Sequence, residues 1–179
     1  TDAEIENCGN AMIPTSTTCL YDTAVPEARR FLDAINTAYN GLPESEKNTK
    51  SIKEAIGSTF MLMTDGMDNE SKEHTASDLK YVFNLLKEAG TTVAFAAANM
   101  DALEVGRAYG LDQRTCLQMG SDNRTGSSAL RAMTEAAIRT TTRPRDPEQE
   151  QEEIFTQEER EKSCAPTEAA QYTKSKVMF

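Results

Sequence analysis

Asp65 is the residue whose type and position speak most directly of chemistry. It ends an apolar run, Ser58-Thr59-Phe60-Met61-Leu62-Met63-Thr64, and Gly66 follows at once. A run of that length without alternation reads as a strand buried on both faces. A carboxylate at the carboxyl end of a strand suits a phosphoryl acceptor, and equally a cap for neighbouring N–H groups. A second turn of the same kind, Asn99-Met100-Asp101, follows the run Thr91–Ala98. Ligands of open α/β sheets collect at such strand ends. His74 is the one histidine, so any Ser-His-Asp or Cys-His machinery has to use it. It stands in the polar stretch Ser71-Lys72-Glu73-His74-Thr75 and reads as a solvated residue ahead of a helix. Cys8, Cys19, Cys116 and Cys164 form no Cys-x-x-Cys pair, which argues against structural zinc and for free intracellular thiols. Neither a G-x-S-x-G elbow, nor a P-loop, nor G-x-G-x-x-G is present.

These positions need elements to hold them. Val25, Ala28, Phe31, Leu32, Ile35 and Tyr39 recur at three- and four-residue steps and predict a helix over 24–39. Pro26 suits its first turn, and Asn40-Gly41 its end. Residues 51–56 predict a helical turn. Ser77-Asp78 opens a helix whose apolar face is Leu79, Val82, Phe83, Leu85 and Leu86. A short helix over 102–108 and a short strand over 115–118 follow. The next helix, over 127–138, places Leu130, Met133, Ala137 and Ile138 inward. Strands alternating with helices at this spacing predict an α/β fold, a Rossmann-like parallel sheet with flanking helices.

The 179 residues suit one domain with an extension. A net charge of -10 argues against binding held by nucleic-acid phosphates, and no apolar run reaches the roughly 20 residues of a membrane span. The chain opens on Thr1-Asp2, without a signal-peptide pattern, and reads as an intracellular, cytoplasmic or particle-borne piece of something longer. A hydrophobic share of 38% is low for a packed domain and points to a segment outside the core. That segment is 140–179, expected as an acidic, extended or disordered tail after a domain over 1–139. Between Asp146 and Lys162 eight acidic residues face two basic ones, so six of the ten net charges lie there. Ile154, Phe155 and Phe179 are its candidate anchors on a partner.

Three segments carry a resemblance. They are Thr18-Cys19-Leu20-Tyr21-Asp22-Thr23-Ala24, then Phe60 through Asn69 with its Thr64-Asp65-Gly66, and Ala98-Asn99-Met100-Asp101-Ala102. Together, and in this order, they resemble the intracellular branch of the von Willebrand factor A domains. In that branch a Thr-x-Leu-Tyr-Asp-Ala loop, a strand ending in Thr-Asp-Gly and an Ala-Asn-x-Asp-Ala turn succeed one another. The resemblance covers residues 14–139, the latter part of such a domain.

The resemblance implies a metal-ion-dependent adhesion site at the carboxyl edge of the sheet, holding Mg²⁺ and leaving one position for a partner's carboxylate. By motif, Thr18 and Asp65 are the metal ligands. Asp68, Asn69, Asn99 and Asp101 form the second shell or the rim that meets a partner. The family's opening element, Asp-x-Ser-x-Ser after the central strand, is absent, so the site is partial or degenerate and the first strands of the sheet are missing. An upstream segment or another subunit then completes the sheet, since a bare edge of a parallel sheet invites aggregation. The function implied is a non-enzymatic protein-interaction module. The alternative is a structural or scaffold subunit of a large assembly, of shell or capsid type, whose tail binds neighbours. A hydrolase or phosphoryl-transfer domain using Asp65 has the fewest features behind it.

Overall fold

The computed structural model describes residues 18–142 and 153–164. Three parallel strands, β1 (Thr59–Thr64), β2 (Thr92–Ala97) and β3 (Cys116–Gln118), stand in the order β1-β2-β3. Thr59 pairs with Thr92 and Thr64 with Ala97, and Phe95 pairs with Cys116. The helices are α1 (Leu20–Asn40), the short α2 (Glu44–Lys47) and α3 (Ile52–Ala55), α4 (Ala76–Glu88), α5 (Ala102–Ala108), α6 (Asn123–Thr142) and α7 (Gln157–Ser163). This is the expected α/β layering, a small open parallel sheet with helices on both faces.

Alternation along the strands divides the core in two. On one face Phe60, Leu62, Val93, Phe95 and Ala97 meet α1, α4 and α5 through Val25, Ala28, Leu79, Phe83, Leu86 and Leu103. Complete burial of each large side chain there contributes about 1.5–3 kcal/mol. The opposite face is thinner. Ala94, Ala96, Ala98 and Leu117 meet Ala129, Ala132, Met133 and Ala136 of α6, with Phe155 filling the remaining space.

Several boundaries differ from the sequence expectation. Helix α1 begins at Leu20, which puts Pro26 inside it and removes the bond that the Asp22 carbonyl would accept. Tertiary contacts hold that turn instead, because the Asp22 carboxylate accepts the N–H groups of Lys72, Glu73 and His74 at 2.7–3.0 Å. Helix α4 is opened by Thr75 and not by Ser77-Asp78, with Thr75 and Asp78 capping each other reciprocally.

Helix α6 runs from Asn123 to Thr142, longer at both ends than expected. Leu130 and Ile138, expected inward, are 59% and 57% exposed. The alanine-lined strand face admits a close approach by small residues, so the stripe Thr125–Ala129–Ala132–Met133–Ala136 turns inward. Strand β1 is not buried on both faces: Met61 and Met63 are 39% and 37% exposed. On the other side, Gly106 lets α5 lie against β3, since a Cβ there would collide with the Cys116 sulfur.

Part of the expected tail is built into the fold. Residues 153–164 form a capped arm in which Phe155 and Ser163 are fully buried. The expectation of an extended or disordered segment is therefore corrected for these residues. Their anchors Ile154 and Phe155 pack on the chain's own sheet and α6. Phe179 lies outside the described residues. Among the described residues no helix is long and apolar enough to cross a membrane.

Candidate functional site

The carboxyl ends of β1 and β2 carry the two turns singled out in the sequence. Thr18 is fixed there by a reciprocal pair: its N–H donates to Asn69 Oδ1 at 2.7 Å, and the Asn69 N–H donates to the Thr18 carbonyl at 3.1 Å. The Thr64 hydroxyl donates to the Gly66 carbonyl at 2.7 Å and shapes the turn that presents Asp65. A Cβ on Gly66 would stand 3.8 Å from Thr18 Oγ1, which places the threonine hydroxyl beside this turn. Asn99 adopts a left-handed conformation, φ 58°, and its Nδ2 donates to the Asp65 carbonyl at 2.9 Å. Asparagine tolerates that region better than most residues, because its short amide bonds locally.

The structure thus brings Thr18, Asp65, Asn69 and Asn99 into one rim. Asp68 stands behind it, accepting from the Ser71 hydroxyl and, at 3.4 Å, from the Tyr21 N–H. Asp101 does something else. Its carboxylate accepts the N–H groups of Leu103 and Glu104 at 2.9 and 3.0 Å and caps α5. Sequence reasoning missed Ser71 and Asp22, which dock the loop after β1 on the first turn of α1. The Ser71 hydroxyl accepts from the N–H groups of Tyr21 and Asp22, both at 3.0 Å. The Lys72 N–H, with those of His74 and Glu73, holds the Asp22 carboxyl below the usual carboxylate range. Asp22 lies inside the Leu-Tyr-Asp segment, so its motif position was the available signal.

Thr18 and Asp65 line a groove of about 690 Å³ that runs beside β1. Leu20, Thr23, Ala24 and Glu27 of α1 overhang it, Phe60 to Thr64 form its floor, and Met119 closes the far side. As a magnesium site the rim falls short. Mg²⁺ needs near-octahedral oxygen coordination. Among the described residues no group of three or more His, Cys, Asp or Glu is placed to hold a metal. Of the oxygens around the rim, Asn69 Oδ1 and Asp101 Oδ1 are engaged with backbone N–H groups.

Other reactive groups are spent on structure. Burial, followed by the hydrogen bond to Tyr21 at 3.3 Å, pushes the Tyr109 phenol well above its usual value. Burial pushes the Cys116 thiol up to about 11, which makes it a poor nucleophile. The described cysteines, Cys19, Cys116 and Cys164, are free thiols. His74 gives its backbone N–H to Asp22 ahead of α4. Set against protein-family models, curated proteins and solved structures, the chain matches none of them.

Proposed function

We propose that the chain is a non-catalytic protein-interaction module of the von Willebrand factor A type, which presents the rim at the carboxyl edge of its sheet to a protein partner. One observation carries this reading. The three segments of the resemblance lie about 30 to 50 residues apart in the sequence. They meet in one hydrogen-bonded rim through the Thr18–Asn69 pair and the Asn99–Asp65 bond. A rigid scaffold under a set of short polar turns is the arrangement binding surfaces favour. Recognition by this chain then acts through Asp65 and the rim without a bound cation, since no group of three or more His, Cys, Asp or Glu among the described residues is placed to hold a metal.

Two measurements test the reading. Carboxylate-directed cross-linking in the native source, followed by mass spectrometry, is expected to join Asp65 to another polypeptide. Titration with Mg²⁺ and Mn²⁺ is expected to leave the unfolding temperature unchanged, since ligand-linked stabilisation requires binding to the native state. Phosphatase or hydrolase turnover abolished by Asp65→Asn would overturn the non-catalytic reading. A cation-dependent rise in unfolding temperature, lost in Asp65→Ala, would overturn the metal-free one.

A further inference from the structure

The groove beside β1 has a backbone floor as well as side-chain walls. Ser58 and Thr64 offer their carbonyls to the N–H groups of Thr92 and Ala98, both at 3.0 Å. Backbone groups of a strand alternate in direction, so those of Thr59, Met61 and Met63 face the groove. They have no ladder partner among the described residues. At about 3.3 Å per residue, the six residues of β1 offer an edge of about 20 Å.

Helix α1 decides what fits there. Leu20, Thr23, Ala24 and Glu27 recur at three- and four-residue steps, so one flank of the helix stands over the groove. Two copies joined edge to edge through antiparallel β1 strands would each bring α1 to the same face. Neighbouring strands lie about 4.8 Å apart, whereas a helix with its side chains is about 10 Å across, so the two helices would compete for one space. A lone extended segment brings no helix. Its alternate side chains enter beneath Leu20 and Ala24, and those between them cover the exposed Met61 and Met63. The charge of the lining is one-sided. Glu27 and the exposed Asp65 contribute carboxylates, and among the described residues no lysine or arginine lines the groove. Glu27 already pairs with Arg30, which makes Asp65 the principal charge that meets an occupant.

We propose that the β1 edge is a strand-addition site for a basic, extended segment of another protein, with apolar side chains at alternate positions and a lysine or arginine that meets Asp65. Main-chain bonds to Thr59, Met61 and Met63 supply the affinity, and the space under α1 together with the Asp65 carboxylate supplies the selectivity. This site deepens the binding-module reading and rests on it, since rim and groove share Thr18 and Asp65.

Amide hydrogen exchange on the full chain tests it, with a synthetic peptide of alternating valine and threonine that carries a lysine at each end. Without peptide, the Met61 and Met63 amides are expected to exchange freely at every protein concentration, while Phe95 and Ala96 of β2 stay protected. Millimolar peptide is expected to slow the two β1 amides about tenfold. A peptide ending in glutamates is expected to bind about fivefold more weakly, a difference that Asp65→Asn abolishes. Met61→Pro removes one outward N–H, which an edge strand tolerates, and is expected to abolish the peptide effect with β2 still protected. No slowing by the lysine peptide, or slowing that persists in Met61→Pro, would overturn the proposal. So would protection of Met61 and Met63 before any peptide is added: if independent of concentration it assigns the edge to this chain, and if lost on dilution, to a second copy. A cross-link from Asp65 to another polypeptide, with the β1 amides still unprotected in that complex, would overturn the strand site and leave the interaction module standing.

Discussion

The two edges of the sheet are treated differently. At β3 the arm answers three outward-facing backbone groups. The Met119 N–H turns inward to Ala97, so Cys116, Gln118 and Gly120 face out. Arg160 Nη1 donates to the Cys116 carbonyl at 2.7 Å, the Cys164 thiol donates to the Gln118 carbonyl at 3.2 Å, and the Gly120 N–H donates to Ser163 O at 2.8 Å. Phe155 lies under the Arg160 guanidinium, 5.6 Å from ring centroid to Cζ. Arg139 of α6 clamps the arm with two bonds to Glu159, at 2.8 and 2.9 Å, and one to the Ile154 carbonyl. At β1 the described residues supply a groove and no such answer. An edge can thus be closed by side chains from a helix as well as by another strand, provided each backbone group finds its bond.

The largest expected effect tests the closed edge. Phe155→Ala removes a fully buried ring and is expected to cost about 3–5 kcal/mol in denaturant unfolding. A loss below 1 kcal/mol would mean that the arm does not seal β3, and the contrast between the edges would collapse. Arg160→Met keeps much of the bulk and removes the bond to Cys116. About 1.5–3 kcal/mol is expected, with faster exchange of the Gly120 amide as the local readout.

Acid tests both sides of the molecule together. Burial raises the Glu159 carboxyl, but the Arg139 hydrogen bonds and the Thr156 N–H outweigh it and hold the group below its ordinary value of 4.5. Asp22, on the β1 side, is held below 3.8 by the Lys72, His74 and Glu73 N–H groups. A depressed carboxyl contributes stability that is complete above its unfolded value and lost as pH falls through its folded one. Unfolding free energy should therefore stay flat from these two groups above about pH 5 and decline below about pH 4, more shallowly in Glu159→Gln and in Asp22→Asn. The smallest effect is one of rate. With iodoacetamide at pH 8, exposed Cys19 should react first, while Cys116 and Cys164 react only as the β3 edge opens. Equal rates at all three would show that the arm detaches readily.

Much of the fold was legible because its signals are local. The steps of Val25, Ala28 and Ile35, the unbroken run Thr92–Ala97 and the Asp101-Ala102-Leu103-Glu104 start of α5 each specify an element within a few residues. The placement of Thr18 beside Asp65 followed from motif order alone. Arg160 was not legible, since an arginine among glutamates reads as solvated; only the outward Cys116 carbonyl makes it a buried donor. Nor was the inward face of α6. Leu130 and Ile138 satisfy a helical period, yet the alanines opposite leave room for the small-residue stripe and not for them.

By itself the sequence determined where the three strands and the helices α1, α4 and α5 form, which turns end the strands, and that Asp65 and Asn99 stand at strand ends. Those properties depend on periodicity and on hydrogen bonds within a few residues. Only the tertiary structure decided that Asp22 and Ser71 staple a loop, and that the arm answers β3. Each of those roles is a backbone group's demand for a partner 43 to 52 residues away. Such demands arise only when packing has removed water from both groups.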